Sequence, residues 1–206
     1  MPIEKINKTK NYTCVFWKIE ENLDTLLEKL KANSTELKQL DQITNLNRKK
    51  QNITARLILN YLSKKKTNLL YTKNGKPYCN NFNHISISHS KKYCILLKSE
   101  KPAGVDIQHK HKNIEKLIPK FIHKEEEKKI DKKNIIPNLH FIWCAKEAIY
   151  KTLNTSCSLK ENIFVNKIKN TRNTNAYYNI SKKSTKYKVI FEQINDYYIA
   201  IAMKDE

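Results

Sequence analysis

The chain has 206 residues, carries 40 Lys plus Arg against 20 Asp plus Glu for a formal charge of +20, and contains only two glycines, Gly75 and Gly104. A length of this order suits one large domain or two small ones, each able to bury a core. Dinucleotide-binding fingerprints and P-loops are excluded, because they need clustered glycines to bring backbone against phosphate, and here the two stand 29 residues apart.

Leu23, Leu26, Leu27 and Leu30, followed by Leu37 and Leu40, recur at helical spacing and predict one or two short amphipathic helices within residues 22–41. A longer helix is predicted over 45–63, with Ile53, Leu57, Ile58, Tyr61 and Leu62 as its apolar stripe and Arg48, Lys49, Asn52 and Arg56 on its other surface, where a plain solvated face is the alternative. Residues 84–90 alternate apolar and polar side chains as a strand does; Lys91-Lys92 turns the chain into a second strand at 93–97, and a third runs over 103–108. The Glu100-Lys101-Pro102 triplet marks a boundary between two halves, taken as residues 1–103 and 104–206. Beyond it come helical segments near 113–133 and 139–153, a polar stretch near 166–186, and terminal strands at 187–193 and 197–203 around an Asn195-Asp196 turn.

No signal-peptide core opens the chain, and its longest apolar run, Tyr197 to Met203, is far below the about 18 residues of a membrane span, so a soluble, cytoplasmic protein is expected. Five cysteines without a C-x-x-C pair argue against a zinc ribbon or a disulfide framework and predict buried free thiols. The charge alone would suit nucleic acid, but only three of the 40 basic residues are arginines, the side chains that read guanine edges. It is also spread along the chain, +12 in residues 1–103 and +8 in 104–206. Lysine, asparagine and isoleucine together are what AT-rich codons produce, so part of the excess fits genomic drift. A positive surface favours polyanions or acidic proteins whatever its origin.

In the strand at 103–108, side chains alternate across the sheet, which puts Asp106 and Gln108 on one face. Two hard oxygen donors side by side suit Mg2+, although alone they are an ordinary strand pair. On the helix at 139–153, Trp143, Lys146, Glu147, Tyr150 and Lys151 gather within roughly 140° of arc, while Ala145, Ala148, Ile149 and Thr152 take the opposite side. A surface Glu147-Lys151 pair is the bland alternative, worth about a few tenths of a kcal/mol. It leaves an exposed Trp143 unexplained.

Gly75-Lys76-Pro77, Ser86-Ile87-Ser88-His89-Ser90, Gly104-Val105-Asp106-Ile107 and Trp143-Cys144-Ala145-Lys146-Glu147-Ala148-Ile149-Tyr150-Lys151 follow in order. Together they resemble the G-K-P, I-S-H-S, G-[VI]-D-[IV]-[EQ] and W-x-x-K-E-[AS]-x-x-K motifs of Sfp-type 4′-phosphopantetheinyl transferases, of the holo-acyl-carrier-protein synthase superfamily. The resemblance implies an α+β fold of two pseudo-twofold-related halves, each an antiparallel sheet packed with helices, with coenzyme A bound in the cleft between them. It implies transfer of 4′-phosphopantetheine from coenzyme A to a serine of an acidic apo acyl or peptidyl carrier protein, releasing 3′,5′-ADP, for fatty-acid, polyketide or nonribosomal peptide synthesis.

By the same resemblance, Asp106 and Glu147 hold a divalent ion, Mg2+ or Mn2+, against the coenzyme pyrophosphate. Glu147 takes the serine proton, and Lys151 stabilises or protonates the departing 3′,5′-ADP. Lys146 adds positive charge at the phosphates, Ser88 and His89 match the phosphate-binding segment, Lys76 and Pro77 lie along the nucleotide, and Arg48 and Arg56 are candidates for the 3′-phosphate. Gln108 departs from the acidic residue many members carry. Its amide oxygen can still ligate, directly or through water, with one negative charge fewer and weaker metal affinity expected.

The rival is a basic nucleic-acid-binding or ribosome-associated protein, which explains the charge but leaves Asp106, Glu147 and the motifs without purpose. The transferase is the expected function, with neither nucleic acid nor membrane as partner. Two half-domains in one chain fit a monomer.

Overall fold

The computed structural model describes residues 3–166, 168 and 172–205. The chain divides into two compact units, Met1–Glu100 and Lys101–Glu206.

The first unit opens with two strands not predicted above, β1 (Ile3–Lys8) and β2 (Tyr12–Lys18). Cys14, Val15, Phe16 and Trp17 are buried without a break, so β2 lacks the two-residue alternation by which half-exposed strands are recognised. The leucines of residues 22–41 form α1 (Leu23–Leu30) and α2 (Ser34–Asp41). They are separate helices because Lys31 turns left-handed, φ 48°, and Asn33 then starts α2 through a reciprocal capping box with Glu36. Asn45 caps α3 (Leu46–Ser63), whose Ile53, Ile58 and Leu59 are buried against the sheet. A small hairpin, β3 (Leu70–Tyr71) with β4 (Pro77–Tyr78), precedes β5 (His84–Ser90) and β6 (Tyr93–Ser99). The main sheet is antiparallel in the order β1-β2-β6-β5. At the hairpin tip Gly75 adopts φ +76° and its N–H donates to the Thr72 carbonyl at 2.9 Å, a turn that a side chain would strain.

The second unit begins with β7 (Ala103–His109). The helical region near 113–133 is not one helix: a 3-10 turn leads into α4 (Ile118–Phe121), and the chain then extends at His123, which caps α5 (Lys124–Glu127) reciprocally with Glu126. α6 (Ile135–Tyr150) begins earlier than the expected 139, with Pro137 in its first turn, where the missing N–H costs no hydrogen bond. After α7 (Leu159–Asn162) come β8 (Ile163–Val165), β9 (Asn173–Ile180), β10 (Lys183–Ile194) and β11 (Tyr197–Lys204). They join β7 in an antiparallel sheet of order β7-β11-β10-β9-β8. The polar stretch near 166–186 thus becomes β9 and the start of β10, with Ala176 and Tyr178 buried while Asn175 is exposed and Tyr177 and Asn179 are half-buried. Positions 167 and 169–171 of that stretch lie outside the described residues.

Helix α6 lies across β7 and β11, burying Leu139, Ala145, Ala148 and Ile149 with Phe121 and Ala200. Four of the five cysteines are buried and Cys157 is half-buried; none is in a disulfide. Among the described residues no helix is long and apolar enough to cross a membrane.

Candidate active site

In the second unit β7 touches the backbone of α6. A Cβ built on Gly104 would stand 1.9 Å from the Ala148 carbonyl oxygen, so only glycine permits this approach. Two residues along, Asp106 is 2% exposed and accepts a hydrogen bond from Lys151, with Nζ 2.7 Å from Oδ1. Lys151, the C-cap of α6, also donates to the Val105 carbonyl at 3.0 Å. Gln108 shares a face of β7 with Asp106, as predicted, and its Nε2 donates to Asp106 Oδ2 at 3.0 Å. Both carboxylate oxygens of Asp106 are therefore held by donors.

Glu147 lies one helical turn before Lys151 and is half-buried. Burial raises its carboxyl pKa, the Asp106 carboxylate raises it further, and the Lys151 ammonium works against both. Cys144, one turn earlier still, donates to the Tyr198 carbonyl at 3.3 Å. Burial, then the neighbouring Asp106 charge, pushes this thiol well above its ordinary range. The set Asp106, Glu147 and Gln108 offers hard oxygen donors, and the two acids stand close enough to disfavour their joint ionisation, a penalty that a divalent cation offsets. Oxygen donors of this kind are the ligand type that Mg2+ takes. Among the described residues no group of three His, Cys, Asp or Glu side chains is placed to hold a metal ion.

Two expectations for this helix need correction. Lys146 does not face the site: it is fully buried, its Nζ lies 2.6 Å from Glu126 Oε2 and it donates to the Leu159 carbonyl at 3.1 Å. Glu126 also accepts from the backbone N–H groups of Val165 and His123, so Lys146 closes a buried knot joining α5, α6 and β8. Burial lowers the Lys146 ammonium pKa and Glu126 opposes this. Trp143 is half-buried with its ring edge-on to Phe121 at 4.9 Å, so packing explains it. The polar face at the site reduces to Glu147, Tyr150 and Lys151, of which Tyr150 is exposed and the other two are half-buried.

The first unit contains a pocket of about 620 Å³. Arg48, Gln51, Asn52 and Ala55 line it from successive turns of α3, Tyr71, Gly75 and Pro77 from the β3-β4 hairpin, and Ile87 and His89 from β5. Arg48, Pro77 and His89, distant in sequence, thus share one concavity with Gly75. Lys76 sits between two lining residues and is half-buried, which lowers its ammonium pKa. Arg56 is corrected: it is 3% exposed, with its guanidinium 3.5 Å from Glu36 Oε1, 2.8 Å from Gln39 Oε1 and 3.0 Å from Asn52 Oδ1. Such enclosure leaves it no reach to a ligand. Ser88, by the alternation along β5, lies on the face opposite His89 and is buried. Gln51 and Tyr71 line the pocket without having been singled out, and Asn52 lines it without having been named as a binding residue. Asn52 and Gln51 carried a usable signal, lying one turn from Arg48 on the polar side of the helix.

Residues 102–202 match the family model of the 4′-phosphopantetheinyl transferase superfamily. The match covers just under half of the chain and contains β7, α6 and the Asp106, Glu147 and Lys151 cluster. It supports a transferase of the phosphopantetheinyl type, and the α+β build of antiparallel sheets packed with helices agrees with that superfamily's fold. No curated protein matches the sequence.

Proposed function

We propose that the protein is an Sfp-type enzyme that moves the 4′-phosphopantetheine arm of coenzyme A onto a serine of an acidic apo acyl or peptidyl carrier protein. The serine Oγ bonds to the β-phosphorus of coenzyme A, the bond from that phosphorus to the bridging oxygen breaks, and 3′,5′-ADP leaves. The carrying observation is the Asp106, Glu147 and Lys151 cluster, fixed by the Gly104 contact inside the matched segment.

Glu147 is suited to take the serine proton, because its raised pKa makes its carboxylate a stronger base than a solvated one. Lys151 is suited to place positive charge, or a proton, on the leaving phosphate, as it already directs its ammonium to an anionic oxygen. Asp106, clamped by Lys151 and Gln108, is pre-oriented as an anionic ligand. Mg2+ or Mn2+ held by Asp106, Glu147 and Gln108 would neutralise charge on the pyrophosphate. Arg48 and His89 bring basic groups to the pocket of the first unit, which with Lys76 and Pro77 is suited to the phosphorylated nucleotide end.

Incubation with coenzyme A, Mg2+ and an apo acyl carrier protein tests the proposal. A mass gain of one phosphopantetheine arm on the carrier is the expected result. A salt-sensitive nucleic-acid gel shift with no transfer would instead favour the basic-binder alternative.

A further inference from the structure

The pocket of the first unit has a hydrogen-bond chain behind its wall, buried at its Glu36 and Arg56 end, and the donor and acceptor capacities along it leave little choice of direction. Glu36, buried on α2, can only accept in its ionised form; its Oε2 receives the Asn33 N–H at 3.0 Å and the Lys66 ammonium at 3.0 Å, and its Oε1 faces Arg56. The Arg56 guanidinium can only donate, so Asn52 must turn its amide oxygen toward it, at 3.0 Å from Nε. That fixes the amide of Asn52 with its NH2 outward, where Nδ2 donates to the Tyr71 hydroxyl at 3.3 Å. Tyr71 Oη is therefore an acceptor within the chain, and no other hydrogen bond engages this hydroxyl among the described residues. Its own proton remains available to a ligand, and Tyr71 lines the pocket together with Arg48 and His89.

We propose that Tyr71 is a ligand-binding hydrogen-bond donor of this pocket, aimed at a phosphate oxygen of the bound nucleotide, and that Glu36, Arg56 and Asn52 are positioning residues that set its direction. The ligand assignment rests on reading the pocket as the coenzyme's. The chain also gives the buried Arg56 a purpose: one ion pair inside the unit fixes the polarity of a group at its surface. An unaimed tyrosine would divide its time between donating to Asn52 and donating to the ligand. A hydrogen bond to an anionic oxygen is among the stronger ones in a protein, so its loss is measurable against the remaining contacts.

The test is calorimetric titration of the full chain with 3′,5′-ADP as probe. Tyr71→Phe, which deletes one oxygen from a ring with 46% exposure, should leave the melting temperature unchanged and weaken binding about tenfold. Asn52→Ala should weaken binding in the Tyr71 protein but add no further loss in the Tyr71→Phe background, because both act through the same hydroxyl. Binding by Tyr71→Phe within about twofold of the unsubstituted protein would overturn the proposal while leaving the coenzyme reading intact. Additive losses in the double variant would overturn the positioning role of the chain. No binding by the unsubstituted protein would overturn the coenzyme reading and the ligand assigned to Tyr71 with it.

Discussion

A Cβ atom on Gly104 would stand 1.9 Å from the carbonyl oxygen of Ala148, inside any van der Waals contact and against backbone that cannot swing aside. The strand bearing Asp106 and the helix bearing Glu147 are therefore held at a spacing set by the missing side chain. Gly104→Ala should destabilise the protein by about 3 kcal/mol, because the helix or strand must shift to admit the methyl. Urea unfolding measures the loss, and an unchanged midpoint would show that β7 yields easily.

Lys146 and Glu126 are both buried, with 0% and 3% of their side chains exposed. Lys146→Met should cost about 3–5 kcal/mol by leaving the Glu126 carboxylate without its counter-charge. Under conditions where the variant is folded, its KM for coenzyme A should match that of the unsubstituted protein. A selective rise in KM at unchanged stability would restore Lys146 to the phosphates.

Lys151 bridges Asp106 Oδ1 and the Val105 carbonyl with one ammonium. Lys151→Met should lower the rate of carrier modification by about 100-fold or more, since it removes the charge placed at the leaving phosphate and loosens Asp106. Lys151→Arg should recover only part, because a planar fork cannot copy the two directions of the ammonium. Mass spectrometry of the carrier over time separates these outcomes.

His140 is held in its neutral form from both sides: Nε2 accepts the His111 N–H at 2.8 Å and Nδ1 meets the Ile136 carbonyl at 2.8 Å. Its pKa is lowered from 6.5, first by burial and then by His111, Lys110 and His109, with the Ile136 carbonyl opposing. The folded protein thus binds fewer protons here than the unfolded chain, so the stability contribution is complete above the unfolded value of 6.5 and is lost as pH falls below it. His84, lowered by burial and then by Lys76 with Glu100 opposing, acts with the same sign. Unfolding free energies measured from pH 7 down to 5 should decline, and the decline should be shallower in His140→Asn. Equal slopes would remove His140 from the acid response.

Local periodicity made much of the fold legible, and distance in sequence hid the rest. Alternation at 84–90 and the leucine spacing before residue 41 lead to β5, α1 and α2, because each pattern reports which face meets the core. β2 carries no such report, being buried at nearly every position. The pairing of Asp106 with Gln108 follows from strand geometry alone. The roles of Lys146 and Arg56 do not: helical position places each among polar neighbours, but their partners Glu126 and Glu36 lie 20 residues from each in sequence and on other elements. Charge on a helix wheel says where a side chain starts, and the tertiary partner decides where it ends.

The cysteine burial supplies a built-in clock for opening of the fold. Cys14, Cys79, Cys94 and Cys144 are enclosed, and burial pushes the Cys94 thiol up to about 12, whereas Cys157 is partly accessible. An alkylating reagent should mark the native molecule once at most and the unfolded molecule five times. Each chain in a mass spectrum then declares whether it opened during the pulse, and intermediate counts, assigned by peptide, tell which of the two units opened first.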